Sequence, residues 1–248
     1  IATRHGLRIV EDAAPSLGAS VGGSRVGGFG HLTCFSFHPR KSITTGEGGM
    51  ITTGDADEAA RLRRVRSHAA STSDLQRHLA HRIAIEEYPE LGFNYRMTDI
   101  QAAIGIVQMT RLESILEERR RLARRYEALL GGFDWLRLPR EPHGRRHTFQ
   151  SYCVRLDADY DRNAVMAELA DRGIATRRGV MAIHLEPFYL DPAVTGTLPV
   201  TEACAAETLL LPLYVGLTES EQDFIAEAVL TASAHAYRHP VGRALAAG

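Results

Sequence analysis

Two residues of this chain, Lys41 and Asp12, are of types that could do chemistry together. Lys41 stands in the run FSFHPRKSITTGEGGM, and Asp12 ends the apolar run LRIVED earlier in the chain. A neutral lysine amine condenses with an aldehyde. A carboxylate that faces a ring nitrogen keeps that nitrogen protonated, so that the ring draws electrons away from the reacting carbon. The two residues therefore indicate a site for pyridoxal phosphate (PLP).

The setting of Lys41 favours a reactive amine. An ordinary lysine is an ammonium ion at neutral pH, and it loses its proton more readily in an apolar pocket or beside another cation. The apolar residues Phe35, Phe37 and Ile43 flank the lysine, and Arg40 is an adjacent positive charge. Taken alone, a lysine among glycines would be interpreted as a solvated surface residue.

Four blocks of sequence, in the same order, resemble the sugar aminotransferases of the DegT/DnrJ/EryC1/StrS family. They are VEDAAPSLGA (Val10 to Ala19), FSFHPRKSITTGEGGM (Phe35 to Met50), GFNYRMTDIQAAIG (Gly92 to Gly105) and LLLPLYVGLTESEQ (Leu209 to Gln222). That family belongs to the fold-type I group of PLP enzymes. The resemblance implies an α/β protein. Its large domain would contain a mainly parallel sheet, incomplete at its N-terminus, and a small α/β domain would follow at the C-terminus.

The resemblance also implies which residues hold the cofactor. Lys41 would be the catalytic lysine, Asp12 the partner of the ring nitrogen, and Ala14 a small residue against one face of the ring. Ser36 would contact the phosphate, and Asn94 would reach across a dimer interface to the cofactor phosphate of the partner subunit. Each polar residue also has an ordinary structural alternative. Asp12 could cap a helix, Ser36 could bond the local backbone, and Asn94 could occupy a turn.

Arg96 and His184 are the candidate substrate-binding residues. The guanidinium group of Arg96 could pair with a substrate phosphate, although an ion pair with Asp99 at the start of a helix is an equal alternative. His184 stands where relatives bring residues toward the sugar nucleotide, and a histidine that fixes the turn at Pro187 explains it equally well. Pro15 departs from the family pattern, in which Gln or His bonds the ring hydroxyl, because proline offers no donor.

The pattern of apolar residues predicts the order strand, loop, strand, helix, which indicates α/β architecture. Thr98 and Thr218 are each followed three positions later by Gln or Glu, as in a helix capping box. We place the domain boundary near residue 135, with a large PLP-binding domain over 1–134 and a small domain over 135–248. The predicted strands are 7–10, 32–37, 50–53, 151–156, 174–180 and 209–213. The predicted helices are one that Asp55 caps and that runs to Arg66, one that begins after Thr98 and carries Ile104, Val107, Met109 and Leu112, and those over about 112–130, 162–172, 201–208 and 219–233.

Composition excludes several classes of function. The chain has 248 residues, 44% hydrophobic and 24% charged, which is ordinary for a soluble globular protein. Its formal net charge of −1 gives no electrostatic case for binding nucleic acid or an anionic membrane. No apolar run reaches the ~18 residues of a membrane span, and no signal peptide is recognisable. The arginine clusters at 61–66 and 119–125 are predicted to be solvated helix faces without a ligand.

The three cysteines, Cys34, Cys153 and Cys204, are widely spaced and have no CxxC motif. Neither a disulfide framework nor a metal site is predicted, and a reducing cytoplasm fits this cysteine usage best.

The chain begins with Ile1, and IATRHGL is similar to the end of a helix that runs into a strand. We therefore expect an N-terminally truncated chain. By the resemblance, upstream sequence would supply a phosphate-binding loop and an aromatic residue that stacks on the cofactor ring. The 248 residues alone are accordingly predicted to have weak or no turnover.

The resulting hypothesis is a PLP-dependent aminotransferase that moves an amino group from an amino acid, expected to be glutamate, to a nucleotide-linked keto sugar. A homodimer with shared active sites is implied, and a polysaccharide or a secondary metabolite could be the destination of the product. The alternative is a non-enzymatic, sugar-responsive protein that keeps the same fold. The presence of Lys41, Asp12 and Ser36 together favours the enzyme.

Overall fold

The computed structural model describes residues 1–72, 85–190 and 196–238. These residues form two compact units, which are described separately. The first unit comprises Ile1–Leu116 and Pro142–Thr148, and the second comprises Glu117–Glu141 and Phe149–Gly248. The domain boundary near residue 135 stays a prediction for the whole protein. The described part of the chain contains no helix that is long and apolar enough to cross a membrane.

The strands, in chain order, are β1 (Val10–Asp12), β2 (Ser20–Val21), β3 (Ser24–Arg25), β4 (Leu32–Ser36), β5 (Gly49–Thr52), β6 (Leu136–Arg137), β7 (Arg145–Arg146), β8 (Tyr152–Leu156), β9 (Arg177–Arg178) and β10 (Thr208–Leu211). The α-helices are α1 (Ala56–Val65), α2 (Asp99–Thr110), α3 (Leu112–Leu130), α4 (Arg162–Asp171), α5 (Pro199–Glu207) and α6 (Glu219–His235). Short 3-10 helices cover Thr3–His5, Ile183–Leu185 and Pro187–Tyr189.

The first unit contains a three-stranded sheet in the order β1, β4, β5. β1 runs parallel to β4, whereas β5 is antiparallel to β4. One face of this sheet is covered, because Phe35 packs in a cluster with Ala13, Phe37, Ile43 and the first residues of α3. A second small sheet, in the order β3, β2, β7, completes the unit.

The helices of the first unit begin where the sequence predicts. The Asp55 side chain accepts hydrogen bonds from the backbone N–H groups of Asp57 and Glu58 and so caps α1. Thr98 and Gln101 form the predicted capping box at the start of α2. The apolar side of α2 is not buried within this unit, since Ile106 and Val107 are 69% and 59% exposed.

The second unit is a four-stranded antiparallel sheet in the order β6, β8, β10, β9. Alternate residues of β8 are buried, namely Tyr152, Val154 and Leu156, and they pack in one core with residues of α3, α4 and α6. Thr218 and Glu221 form the second predicted capping box, at the start of α6. The predicted strand over 174–180 is much shorter in the structure, where only Arg177–Arg178 pair with β10.

The prediction of a wholly solvated arginine face on α3 is wrong for Arg119 and Arg120, which are 9% and 5% exposed. The Arg119 guanidinium donates hydrogen bonds to the carbonyl oxygens of Phe149, Gln150 and Leu213 at 3.0–3.1 Å. Burial lowers the pKa of Arg119 from its ordinary value. The cation is stable here because three backbone oxygens replace water around it.

Candidate active site

The carboxyl ends of β1 and β4 bring two predicted site residues to the same face of the first sheet. Asp12 is the register partner of Cys34, and Ser36 lies two residues further along β4. Side chains alternate along a strand, so Asp12, Cys34 and Ser36 share one face while Thr33 and Phe35 are buried on the other. The open face of the sheet therefore carries a carboxylate and a hydroxyl group.

Asp12 is exposed at the end of β1, and its Oδ1 atom accepts a hydrogen bond from the backbone N–H of Ala14 at 3.0 Å. The neighbouring carboxylate, Glu11, faces the opposite way and accepts a hydrogen bond from the Thr33 hydroxyl at 2.9 Å. Within the described residues no cation forms an ion pair with Asp12. Its negative charge is therefore available to a positively charged ligand group.

Lys41 is half-buried in the loop between β4 and β5. Its backbone N–H donates to the carbonyl oxygen of His38 at 2.9 Å. The loop is pinned to Phe37, whose carbonyl oxygen accepts hydrogen bonds from the Thr44 hydroxyl and from the backbone N–H of Thr45. These bonds hold the position of the lysine, whose amine forms no ion pair with any residue that the structure describes.

The base of the lysine loop is also tied to α2. The carbonyl oxygen of Glu47 accepts hydrogen bonds from the Thr45 hydroxyl at 2.8 Å and from the Gln101 side-chain amide at 3.0 Å. Sequence reasoning identifies Gln101 only as a capping residue. Its contact with Glu47 is tertiary, so no local signal predicts it.

A further feature of Lys41 is visible in the sequence but is missed by motif reasoning. Of the 29 basic Lys and Arg residues in the chain, Lys41 is the only lysine. All other cations of this class are arginines, whose guanidinium groups stay protonated and do not form such adducts with aldehydes. The chain therefore offers one side-chain amine for condensation with an aldehyde.

Pro15 follows Ala14 at the rim of the sheet and is exposed. Its carbonyl oxygen accepts a hydrogen bond from the hydroxyl of the buried residue Thr148 at 3.1 Å. This contact fixes the backbone of Pro15 but supplies no donor toward a ligand.

Asn94 and Arg96 lie on an extended segment that precedes α2 and runs beside the turn after α1. Asn94 forms an isolated antiparallel bridge with Ser67, and the Arg96 guanidinium donates to the Ser67 hydroxyl at 2.8 Å. Phe93 and Tyr95 point to the other side and stack with their ring centroids 5.0 Å apart. The segment thus has a polar side, which contains both predicted residues, and an aromatic side.

An ion-pair cluster holds the chain just before this segment. Glu90 accepts hydrogen bonds from Arg61 at 2.8 Å and from Arg64 at 2.7 Å. The hydrogen bond from Arg61, followed by that from Arg64, lowers the pKa of Glu90 from its ordinary value. The chain at Glu90 is therefore held against α1 by two arginines, while residues 73–84 lie outside the described residues.

His184 belongs to the second unit, where its Nε2 atom lies 3.0 Å from the Oε1 atom of Glu202. The imidazole is largely buried, with 15% of its side chain exposed. A backbone hydrogen bond from Leu198, and then the contact with His184, lower the pKa of Glu202. His184 is thus engaged in a structural contact, and its role toward a substrate stays a prediction.

The second unit also contains a cavity of about 360 Å³, whose lining includes none of the predicted site residues. Two of its arginines, Arg120 and Arg124, lie 3.6 Å from the carboxylate of Glu117. The carboxylate of Glu117 therefore partly compensates the positive charges of these two arginines. Within the described ranges, no group of three or more His, Cys, Asp or Glu residues is arranged to hold a metal ion.

Comparison with known proteins gives concordant matches. The sequence matches the model of the DegT/DnrJ/EryC1/StrS aminotransferase family over residues 1–230. It is 38% identical over 232 residues to GDP-perosamine synthase of Caulobacter vibrioides, and this match covers 92% of the chain and 60% of that relative. The chain thus spans about 60% of the length of this curated relative.

Solved structures agree with the sequence matches. The aminotransferase TlmJ from Streptoalloteichus hindustanus has a TM-score of 0.83 and 32% identity, over 94% of this chain and 60% of the other. The PLP form of Spr1654 from Streptococcus pneumoniae has a TM-score of 0.81 and 26% identity, over 93% of this chain and 58% of the other. These matches confirm the predicted family resemblance and the predicted α/β fold.

Proposed function

Because this chain belongs to the DegT/DnrJ/EryC1/StrS aminotransferase family, we propose that its protein is a PLP-dependent aminotransferase. The proposed substrates are an amino acid donor, expected to be glutamate, and a nucleotide-linked keto sugar. The observation that carries the proposal is the sole lysine of the chain, Lys41, in a pinned loop that follows a strand bearing Ser36 beside Asp12.

The residues present fit PLP in three respects. Lys41 provides an amine that no described carboxylate has taken up in an ion pair, and Asp12 provides a carboxylate that no described cation neutralises. Ser36 is half-buried, and among the described residues its hydroxyl has only a long contact, 3.4 Å, with the backbone N–H of His38, so it is available to a phosphate. Pro15 is the exception, because it cannot donate to the ring hydroxyl.

The chemistry follows from the roles of these side chains. When bound, PLP supplies an aldehyde and a ring that withdraws electrons. The Lys41 amine would hold the aldehyde carbon, give way to the amino donor, and then move a proton at the reacting carbons as general acid and base. Asp12 would hold the proton on the ring nitrogen, since a carboxylate beside it favours the protonated form. Ser36 would donate to the phosphate.

The test is covalent attachment at Lys41 in the natural protein at its full length. After incubation with PLP and reduction with borohydride, peptide mass spectrometry should place the cofactor mass on the peptide that contains Lys41. Lys41→Ala should abolish both this label and amino transfer from glutamate. The matched control is Arg40→Lys, which should leave the label at position 41. A label only at another position, or full amino transfer by Lys41→Ala, would contradict the proposal.

The substrate class can be tested separately. We infer a nucleotide-linked keto sugar because relatives such as GDP-perosamine synthase are named for sugar products. Incubation of the full-length protein with glutamate and a panel of nucleotide-linked keto sugars should give 2-oxoglutarate with at least one member. A protein that is labelled at Lys41 but aminates none of the panel would keep the PLP assignment and lose the substrate class.

A non-enzymatic protein with the same fold is the competing function, and Pro15 is the observation that favours it. Loss of the donor at this position would weaken cofactor binding. An enzymatic function is supported by the presence of Lys41, Asp12 and Ser36, because a protein that only responds to sugars needs none of the three for chemistry.

We also propose a cytoplasmic homodimer with shared active sites. Asn94 would act on the cofactor phosphate of the partner subunit, as the family resemblance implies. The proposal is supported by the position of Asn94 directly before α2, whose apolar side is exposed within the first unit. A two-fold axis would give each subunit the same role at both sites.

A further inference from the structure

The loop that carries Lys41 is closed at its base. The backbone N–H of Phe37 donates to the carbonyl oxygen of Gly48 at 2.8 Å, and the N–H of Thr45 donates to the carbonyl oxygen of Phe37 at 3.1 Å. Thr45 is buried, and its hydroxyl donates to the carbonyl oxygen of Glu47 at 2.8 Å. The position of Lys41 relative to β4 therefore depends on a few residues at this base.

One side of α2 lies against the base of the lysine loop. The side-chain amide of Gln101 donates to the carbonyl oxygen of Glu47 at 3.0 Å. A Cβ atom added at Gly105 would lie only 3.1 Å from the methyl group of Thr45. Positions 101 and 105 are about one turn apart and share a side of the helix. This side of α2 is therefore the surface on which the lysine loop rests.

The amide group of Gln101 serves the helix and the loop at the same time. Its Oε1 atom accepts hydrogen bonds from the backbone N–H and from the hydroxyl of Thr98, each at 3.0 Å, while its Nε2 atom donates to Glu47. A carboxylate at position 101 would complete the same capping box but would offer no donor to Glu47. The donor is therefore what glutamine adds at this position.

The second capping box of the chain shows what capping alone requires. Glu221 accepts hydrogen bonds from the backbone N–H and from the hydroxyl of Thr218, each at 2.7 Å, and within the described residues its carboxylate has no partner outside this cap. A negative charge in the first turn also stabilises a helix through its dipole. At the start of α2 the chain forgoes that benefit, and Gln101 gains the hydrogen bond to the lysine loop.

We propose that Gln101 is a positioning residue for Lys41, because its amide holds the lysine loop against α2 and so keeps the amine where amino transfer needs it. The inference rests on the proposed function, and it gives Gln101 a role beyond the capping that its motif explains. Gln101 acts through the backbone of Glu47, so no chemical step is assigned to it. Displacement of a reacting group by about 1 Å can lower a rate by about 10²-fold, so the support of the loop affects turnover.

Two substitutions separate this role from capping. Gln101→Glu keeps the cap and removes the donor to the loop, whereas Gln101→Ala removes both. In the full-length, PLP-loaded protein, both variants should form 2-oxoglutarate from glutamate in a single turnover about 10- to 100-fold more slowly than the wild type. The glutamate concentration that gives half of the maximal rate should change little, because Gln101 does not bind the donor.

Hydrogen exchange, measured by mass spectrometry on the same proteins, reports on the loop itself. Peptides that cover residues 38–48 should exchange faster in both variants, whereas the start of α2 should exchange faster only in Gln101→Ala. The matched control is Glu221→Gln, which changes the corresponding residue of the other capping box and should match the wild type in rate and in loop exchange.

The outcomes distinguish the positioning role from its alternatives. A wild-type rate or wild-type loop exchange in Gln101→Glu would overturn the proposal, and a loss confined to Gln101→Ala would assign Gln101 to capping alone. A wild-type protein that carries no borohydride label at Lys41 would instead contradict the proposed function. Faster loop exchange in a labelled Gln101→Glu protein whose single-turnover rate is unchanged would overturn the positioning role and leave the proposed function intact.

Discussion

At the scale of single residues, the candidate site shows how neighbouring groups decide whether a carboxylate can bind a ligand. Asp12 and Glu11 are adjacent carboxylates with different surroundings. Glu11 is bonded to the hydroxyl of the fully buried Thr33, whereas Asp12 is exposed at the strand end and accepts only a backbone N–H from Ala14 among the described residues. The alternation of side chains along β1 thus assigns one carboxylate to the fold and the other to a ligand.

Asp12→Asn tests this assignment. The Asn oxygen can still accept from Ala14, so the fold should persist, but the side chain no longer stabilises a proton on a ring nitrogen. We expect the borohydride label at Lys41 to be retained and amino transfer to fall by about 10²-fold or more. Glu11→Gln is the matched control and should keep most of the activity. Equal losses in the two variants would show that Asp12 has no distinct role.

At the scale of secondary-structure elements, α3 is a helix whose first and last residues can be predicted from the sequence, whereas its tertiary contacts cannot. The predicted range 112–130 is the observed range, because the apolar spacing and the two glycines that follow are local signals. The burial of Arg119 comes instead from the carbonyl oxygens of Phe149, Gln150 and Leu213, which are distant in sequence.

Arg119→Met should therefore destabilise the protein strongly. The substitution keeps an unbranched side chain and leaves buried carbonyl oxygens without a donor, which costs about 2–4 kcal/mol. Phe149, one of the residues whose carbonyl oxygen Arg119 binds, has a left-handed backbone with φ of 45° and loses this support. Urea unfolding of the full-length protein measures the effect. Arg124→Met, on the exposed side of the same helix, should change stability by no more than about 0.5 kcal/mol.

The residue that caps α4 should make the free energy of unfolding depend on pH. Asp161 caps this helix, and its carboxylate also accepts a hydrogen bond from Arg238 at 2.8 Å. The bond from Arg238, followed by that from the backbone of Ala164, lowers the pKa of Asp161 below its ordinary value of 3.8. The folded state therefore binds this proton less readily than the unfolded state. The resulting stability is present above pH 3.8 and is lost as the pH falls through the lower, folded-state pKa.

Asp161→Asn keeps a capping oxygen and removes the titration. Between pH 6 and pH 3 the variant should lose less stability than the wild type, as measured by urea midpoints at both pH values. Arg238→Gln should reduce the acid dependence in the same direction, because it removes the main cause of the shift. An acid dependence unchanged in both variants would show that Asp161 contributes nothing to it.

The same division between local and distant signals applies to the candidate site. Lys41, Asp12 and the capping boxes at Thr98 and Thr218 are recognisable from sequence because their neighbours along the chain define them. The turn at His68 and Ala69, which follows α1 and has left-handed backbone conformations, is not, since it lies against Gly92, which is distant in sequence. Motifs identify reactive groups, whereas packing decides which residues orient them.

At the scale of the whole molecule, the proposed homodimer predicts that mixed subunits restore activity. In a purified heterodimer of a Lys41→Ala subunit and an Asn94→Ala subunit, one site would combine an intact Lys41 with an intact Asn94 from the partner. Such a heterodimer should have about half the activity of the wild-type dimer, because one of two sites is complete.

The matched control pairs Lys41→Ala with Asp12→Asn. Both residues lie in the first unit of the same subunit, so each site of this heterodimer lacks one of them and no activity should return. Failure of the Lys41→Ala and Asn94→Ala heterodimer to gain activity over either parent would contradict shared sites.

The single lysine in the pinned loop has a practical consequence for the chemistry of this protein. Aldehydes, active esters and amine-directed cross-linkers modify many positions on an ordinary protein surface. Along these 248 residues only position 41 offers them a side-chain amine. Surface adducts of the cofactor have no other lysine to form on within this stretch, and a reagent that acylates lysine finds one lysine amine here.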